Sequence, residues 1–374
     1  MGDRSLRFGL AGGGPGAFIG PVHVMAAQLD GRFALAAGAF SRDAARSKAA
    51  GERFGIAPDR AYASWADMLA AEVGRPDGIM AVVVATPNDS HFAISKAALE
   101  AGFHVMCDKP ATLTLDEALS LRDVVARSGR QYGLTYTYSG YPLVREARTR
   151  VARGELGTIR KIVVEYPQGW LSQSIEGASK QAEWRTDPKR SGLGGCLGDI
   201  GIHALHLAEF VSGLFVTELL ADLGRVLPGR VLDDDCDILL RFDNGARGAL
   251  IASQVSAGER NGIRLRIYGE KGGLDWSQET PNTLTFNFPD APSQMLHAGG
   301  AYLSPEVQAM IRIPAGHPEG YLEAFANLYR DFADQIMGKA SLVPGIEAGV
   351  RGMAFIQRAV ESSEQRQWLS FEGT

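Results

Sequence analysis

Apolar runs of strand length alternate with helical patterns over the first third of the chain. Leu6 to Ala11 is a short apolar run broken by Gly12-Gly13-Gly14-Pro15-Gly16. A helical apolar pattern follows through Leu29, with Pro21 tolerable in its first turn, where a missing N–H costs little. Phe33 to Phe40 is a second strand. Asp43 can cap a helix over Ala44 to Phe54, and Ser64, with Asp67 in the first turn, another through Leu69 to Val73. Ile79 to Ala85 is a third strand, ended by Thr86-Pro87-Asn88. Phe92 to Ala101 reads as helix, Phe103 to Cys107 as strand and Leu115 to Ser128 as helix. Repeated βα units of this length predict an α/β fold with a parallel, doubly wound sheet. Ligands of such sheets bind beyond the carboxyl ends of the strands.

The pattern then changes. Ile159 to Tyr166, Val216 to Leu223, Cys236 to Phe242, Arg247 to Ser253 and Arg264 to Tyr268 are strand-like, and Phe242-Asp243-Asn244-Gly245 signals a hairpin. An amphipathic helix runs from Tyr321 to Met337.

Composition sets bounds on this picture. With 374 residues the chain suggests two domains, at roughly 150 residues each. Hydrophobic residues at 45% supply both cores, and a net charge of −5 argues against general nucleic-acid binding, which needs a basic face. The segment Met1 to Leu10 lacks the apolar core of a signal peptide, and no run approaches the roughly 18 apolar residues of a membrane span. No membrane partner is expected. Cys107, Cys196 and Cys236 are scattered and odd in number, so neither a disulfide framework nor a metal knuckle follows, and a cytoplasmic location is the simplest reading.

The candidate chemistry begins at the glycine turn. Gly12-x-Gly14-x-x-Ala17 fits the looser GxGxxA form between a strand and a helix, although Pro15 is unusual. Glycine lets the backbone approach a pyrophosphate, and the helix N-terminus adds a positive dipole. Gly12, Gly14, Pro15, Gly16, Ala17 and Phe18 are the expected dinucleotide contacts; the bland alternative is an ordinary glycine-rich loop. An acidic residue at the tip of the second strand would favour NAD. Here Ser41 and Arg42 stand there, a hydroxyl beside a guanidinium that suits a 2′-phosphate, so the reading leans to NADP over NAD. Asp43 either caps the helix or, in a register shifted by two, reads the ribose.

Three further motifs join this turn: Ala85-Thr86-Pro87-Asn88 with His91, Cys107-Asp108-Lys109-Pro110, and Gly198-Asp199-Ile200-Gly201-Ile202-His203. With Trp184-Arg185-Thr186-Asp187-Pro188 and Tyr268-Gly269-Glu270-Lys271-Gly272-Gly273, they resemble the family of glucose–fructose oxidoreductase, inositol dehydrogenase and the MocA proteins. The motifs occur in family order across nearly the whole chain. Asp108 replaces the commoner Glu, Gly13-Gly14-Pro15-Gly16 replaces a Cys-Gly form, and Ser41 replaces a frequent Asp.

The resemblance implies a Rossmann domain over 1–135 and an α+β domain over 136–374, built on an open, mostly antiparallel sheet. A homodimer or homotetramer would cover one face of that sheet. Thr86, Pro87, Asn88, His91, Asp108 and Lys109 would join the cofactor contacts, with a Lys-Pro bond often cis in relatives. The implied activity is NAD(P)-dependent oxidation of a secondary alcohol on a sugar, inositol or related polyol.

Such oxidation needs a base titrating near neutrality, which points to His. Asp199 and His203, spaced i, i+4, would share a helix face. By resemblance His203 is the base, Asp199 its partner and Lys109 the cation on the substrate oxygen. Without that context, Lys109 would be a solvated surface lysine and the Asp/His pair a helix-stabilising contact. His206 extends the spacing to i+7, yet no further defined ligand makes this a zinc motif, and no metal is expected. Asp233-Asp234-Asp235 reads as a loop opening the next strand rather than as a cation site.

Tyr138, Trp170, Arg185 and His317, together with Lys109, Asp199 and His203, are the expected substrate contacts. Tyr141 and Trp184 are further candidates, and Tyr166 and Trp170 fit core positions equally well. A glycosidase on the same fold, using transient oxidation and elimination, is the alternative function. A non-catalytic NAD(P)-binding sensor is a third, which the joint presence of Lys109, Asp199 and His203 opposes.

Overall fold

The structure, a computed structural model, describes residues 5–371. They divide into two compact units: one runs to Tyr136 and takes in Phe325–Met353, and the other covers Thr137–Ala324 and the residues from Ala354 on. The contiguous 136–374 span expected of the second domain is thus interrupted. Two contacts tie the returning segment to the first unit. Phe332 stacks on Phe33 at 6.0 Å, and the Leu134 N–H donates to the Pro344 carbonyl at 2.7 Å.

The first unit alternates strand and helix: β1 (Leu6–Gly12), α1 (Ile19–Leu29), β2 (Phe33–Ala39), α2 (Ala44–Arg53), α3 (Trp65–Glu72), β3 (Ala81–Ala85), α4 (His91–Glu100), β4 (His104–Cys107), α5 (Leu115–Ser128) and β5 (Tyr132–Leu134). The strands form one parallel sheet in the order β2-β1-β3-β4-β5. A single parallel bridge from Gly38 to Ala61 lies beside β2, where a further strand of a dinucleotide fold would sit. β3 is buried along its whole length because helices cover both sheet faces, and each buried valine contributes roughly 1.5–3 kcal/mol.

Helix starts follow local chemistry. The Asp43 carboxylate accepts from the Arg46 N–H at 2.9 Å, and the Ser64 hydroxyl from the Asp67 N–H at 3.1 Å. Thr114 and Glu117 close a capping box on α5. β5 has three residues, too few to show a period in the sequence.

The second unit opens with α6 (Pro142–Ala152), β6 (Ile159–Pro167), α7 (Lys180–Arg185) and α8 (Pro188–Ser191). A π-helical turn, Leu197–Gly201, leads into α9 (Ile202–Ser212). Next come β7 (Val216–Gly224), β8 (Asp235–Phe242), β9 (Arg247–Ser253), β10 (Arg264–Gly269), β11 (Gly273–Ser277), β12 (Thr283–Asn287), β13 (Gln294–His297) and α10 (Pro305–Gln308). Of the last elements, α11 (Tyr321–Ile336) from Phe325 on and α12 (Ile346–Gln365) up to Met353 belong to the first unit, and β14 (Leu369–Ser370) to the second.

Nine strands pair in the order β13-β12-β11-β10-β6-β9-β8-β7-β14, all antiparallel except β6 with β9. α6 and α9 lie on one face of this sheet. Strand β8 shows the consequence: Ile238, Leu240 and Phe242 are buried while Asp237 and Leu239 are exposed. The hairpin between β8 and β9 is a three-residue turn rather than a two-residue one, with the Gly245 N–H donating to the Phe242 carbonyl at 2.9 Å. Among the described residues, no helix is long and apolar enough to cross a membrane.

Candidate active site

In the first unit the carboxyl ends of β1, β3 and β4 lie level, with Gly12 opposite Ala85 and Val84 opposite Cys107. The glycine turn, the Thr86 turn and the Lys109 turn therefore leave the sheet side by side. Gly12 has φ +99°, and a Cβ there would sit 2.4 Å from the Ala85 carbonyl oxygen. A Cβ on Gly14 would sit 2.3 Å from the Phe40 carbonyl oxygen, so the turn lies directly against the tip of β2. Pro15 and Gly16 are exposed, and the Ala17 N–H donates to the Gly14 carbonyl at 2.9 Å. Phe18 is 63% exposed and sits at the N-cap of α1, which has no side-chain cap, unlike α2, α3 and α5. Bare backbone with an uncapped helix start fits a dinucleotide pyrophosphate.

At the β2 tip, Ser41 is half-buried and Arg42 exposed. Asp43 is the α2 cap, and its N–H donates to the Ser41 hydroxyl at 3.2 Å. After β3, Pro87 precedes the 3-10 turn Asn88–Ser90, in which Asn88 is buried. The Ser90 hydroxyl donates to Thr86 Oγ1 at 2.8 Å. After β4, the Asp108 carboxylate accepts from the Lys109 N–H at 3.0 Å and the Thr135 hydroxyl at 2.6 Å. Lys109 is half-buried and its bond to Pro110 is cis. His91, expected among the cofactor contacts, closes the Thr86 turn. It is buried, and both ring nitrogens are engaged by main-chain carbonyls.

The second unit supplies the Asp/His pair. Asp199 lies in the π-turn and His203 in the first turn of α9, so the plain helix start expected for this motif is a π-to-α junction. The Ile202 N–H bonds the Leu197 carbonyl, five residues back. Such π-turns concentrate at functional sites. Arg185 Nε donates to Asp199 Oδ2 at 3.1 Å, and Gln254 Nε2 to the same oxygen at 2.8 Å. Arg185 is thus committed to Asp199. Its guanidinium also lies 4.2 Å from the Trp184 ring centre and 5.9 Å from that of Trp170.

His203 is buried, with its ring edge-to-face against Tyr138 at 5.1 Å and near Tyr166 at 6.4 Å. A polar chain runs away from these rings. Trp170 Nε1 donates to Gln168 Oε1 at 3.0 Å, Gln168 Nε2 to Asn261 Oδ1 at 2.6 Å, and the Tyr166 hydroxyl to Asn261 Oδ1 at 2.7 Å. Tyr138 bonds the Tyr166 hydroxyl and receives Asn261 Nδ2 at 3.0 Å. Burial pushes both phenols well up, so they stay neutral donors.

Other candidates fall elsewhere. Tyr141 stands at the N-cap position of α6, without a side-chain capping bond, and packs on Trp276 at 5.3 Å. His317 is exposed in a turn, its Nδ1–H donating to the Pro314 carbonyl at 3.1 Å, and the structure does not bring it into the cluster around Asp199. His206 stacks on Phe210 at 5.6 Å; burial, then Arg145 and Arg148, push it down to about 3. Among the described residues, no three His, Cys, Asp or Glu side chains gather as a metal-holding group.

Gln254, Gln168 and Asn261 were not expected from the sequence, since single amides at strand ends carry no periodic signal. Asp233 also gains a role. Its carboxylate accepts from the Gly195 and Leu197 N–H groups at 2.7 Å each and so anchors the entry to the π-turn. Burial pushes its carboxyl up against the pull of those two donors.

A glycine-cradled parallel sheet, in one chain with an Asp/His pair under an aromatic and amide cluster, is the make-up of a dinucleotide-dependent oxidoreductase. Residues 6–136 match the family described as "Oxidoreductase family, NAD-binding Rossmann fold", and residues 144–275 match "GFO/IDH/MocA C-terminal domain". The chain is 35% identical to the uncharacterized oxidoreductase YfiI of Bacillus subtilis, over 99% of this chain and 98% of that one. It is similar to an inositol dehydrogenase homolog from Azotobacter vinelandii complexed with NAD+, at 38% identity and TM-score 0.96 over 98% of each chain. It is 27% identical to the levoglucosan dehydrogenase of Pseudarthrobacter phenanthrenivorans, over 98% of each. The chain belongs to the GFO/IDH/MocA oxidoreductase family.

Proposed function

We propose that the chain oxidises a secondary alcohol of a sugar, inositol or related polyol to a ketone, and that Lys109, Asp199 and His203 carry the chemistry. The observation that carries this reading is the Asp199 carboxylate, fixed by Arg185 and Gln254, four residues before a buried histidine. Paired with the Arg185 guanidinium, the Asp199 carboxylate accepts a hydrogen bond from a hydroxyl of the substrate. His203 takes the proton of the reacting hydroxyl. The Lys109 ammonium holds that oxygen as negative charge develops on it. The bound nicotinamide supplies the two-electron acceptor for the carbon-bound hydrogen. The rings of Trp170 and Tyr138 and the amides of Gln168 and Asn261 offer the flat surface and paired polar groups that a polyol requires. The similar Azotobacter protein was also solved with NADH and myo-inositol, which supports a polyol substrate.

The cofactor reading leans to NADP. Asp43 is occupied as the α2 cap, which leaves Ser41 and Arg42 to meet the adenosine ribose. NAD remains the alternative, in line with the NAD+ complex of the similar protein. The exposed Leu239, Ile251 and Tyr268 on the uncovered sheet face support a homodimer or homotetramer. Three free buried thiols support a cytoplasmic setting.

Product analysis tests the reaction. Incubation of the protein and an excess of NAD or NADP with a panel of inositols, aldoses and glycosides, followed by carbon NMR, is expected to show one CH–OH carbon replaced by a carbonyl. A released aglycone with an unoxidised sugar would move the assignment to the glycosidase chemistry.

A further inference from the structure

We propose that His91 is a doubly protonated imidazolium that clamps the turn after β3 to the turn after β4, and so positions the backbone that carries Lys109. The case is geometric. Nδ1 lies 2.7 Å from the Pro110 carbonyl oxygen, and Nε2 lies 2.8 Å from the Thr86 carbonyl oxygen. A carbonyl oxygen only accepts, so each ring nitrogen must donate, and a neutral imidazole has only one N–H. With one proton removed, a lone pair would face a carbonyl oxygen at hydrogen-bond distance. The ring is 1% exposed, so solvent does not relieve the conflict.

The surroundings support a charge here. Burial alone would lower the pKa of His91, but Cys107, the Pro110 carbonyl and Asp108 outweigh it and push it up to about 9. The charged and titratable groups facing it are Cys107 at the end of β4, Asp108 in the following turn, and His23 from α1. Asp108 is held as an acceptor by the Lys109 N–H and Thr135. His23 remains neutral: burial pushes it down to about 4, with Asp108 raising it and His91 lowering it further. Its Nδ1 pairs with the Tyr329 hydroxyl at 2.6 Å. Of His23 and His91, only His91 therefore carries the second ring proton.

The clamp joins two motifs whose spacing in the chain shows no connection. His91 opens α4 directly after the Thr86 turn, and Pro110 follows Lys109. Its role in catalysis rests on the assignment of Lys109 proposed above; its protonation does not.

Nitrogen NMR of the histidine-labelled full-length protein at neutral pH, without substrate, tests the protonation. The ring signals lost in His91→Gln are expected to show two protonated nitrogens, persisting until the pH rises through about 9. One lone-pair-type nitrogen at neutral pH would overturn the proposal. If His91→Gln does not fold, a pH titration of the wild-type ring signals gives the same reading: the signals lost in His203→Gln are set aside, and burial holds His23 down to about 4 and His206 to about 3, leaving the signal that titrates near 9 to His91.

Steady-state kinetics test the positioning. His91→Gln keeps a donor for one carbonyl only, so kcat is expected to fall by about tenfold while the cofactor KM stays within about twofold. An unchanged kcat alongside confirmed imidazolium signals would remove the positioning role. Loss of activity in Lys109→Ala is the separate check on the underlying reading.

Discussion

Replacing Asp233 tests whether the Asp/His pair depends on a buried anchor outside it. The Asp233 carboxylate accepts two main-chain N–H bonds at 2.7 Å, and its own carbonyl accepts from the Cys196 N–H at 2.8 Å. A Cβ on Gly195 would lie 2.2 Å from that carbonyl oxygen, so the entry to the π-turn is pressed against this residue. Asp233→Ala leaves both N–H groups without their acceptor in a buried site. At about 1–3 kcal/mol per orphaned group, the expected loss is about 2–6 kcal/mol. Asp233→Asn keeps one acceptor oxygen but turns an amide N–H toward the other donor, so about 1–3 kcal/mol is expected. Urea unfolding reads these losses. Slackening the turn also displaces Asp199 and His203, and a shift of about 1 Å can cost about 100-fold in rate. The folded Asp233→Asn protein should therefore lose kcat while keeping wild-type cofactor affinity, measured by nicotinamide fluorescence. Wild-type stability and kcat in Asp233→Asn would refute the anchoring role.

Three further outcomes follow from the same geometry. Lys109→Ala and His203→Ala should each cut kcat by about 100-fold or more with cofactor binding nearly intact, and full turnover in either would remove that residue from the catalytic set. Ser41→Asp combined with Arg42→Ala should shift the kcat/KM ratio toward NAD; an unchanged ratio would show that the ribose is read elsewhere. His23 and His206 have folded pKa values pushed down by desolvation to about 4 and about 3, below the ordinary 6.5. For such depressed values the stability is present above pH 6.5 and is lost as pH falls toward those values. Each should withdraw about 2 kcal/mol by pH 5. Urea midpoints at pH 8 and pH 5 read the loss, and His206→Gln should shrink it; an equal loss in that variant would assign it to other groups.

The parallel sheet was legible because each βα unit carries its own local signals. Asp43 and Ser64 start helices where the structure starts them. The chemical motifs were legible for a related reason: glycines, Lys-Pro and Asp-x-x-x-His are rare, local combinations. What escaped was non-local. Gln254 reaches Asp199 across 55 positions and Asp233 reaches Leu197 across 36, distances at which no period links the partners. His91 resembled a ligand contact because its motif sits at a cofactor turn; only the two carbonyls opposite its ring give it another task. The pairing of Arg185 with the Asp199 carboxylate, 14 positions away, likewise shows only in the structure. The short edge strands β5, β13 and β14 carry too few residues to alternate, and they form by pairing with neighbours already in register.

The central claim, alcohol oxidation on a polyol, meets its most direct test in the absorbance of reduced nicotinamide. The purified protein is mixed with NADP or NAD and each member of a panel of inositols, aldoses and glycosides. Net, stoichiometric reduction with a free polyol, faster with NADP, is the predicted result. Release of an aglycone with no net reduction, or no change with any polyol while the cofactor binds, would contradict it.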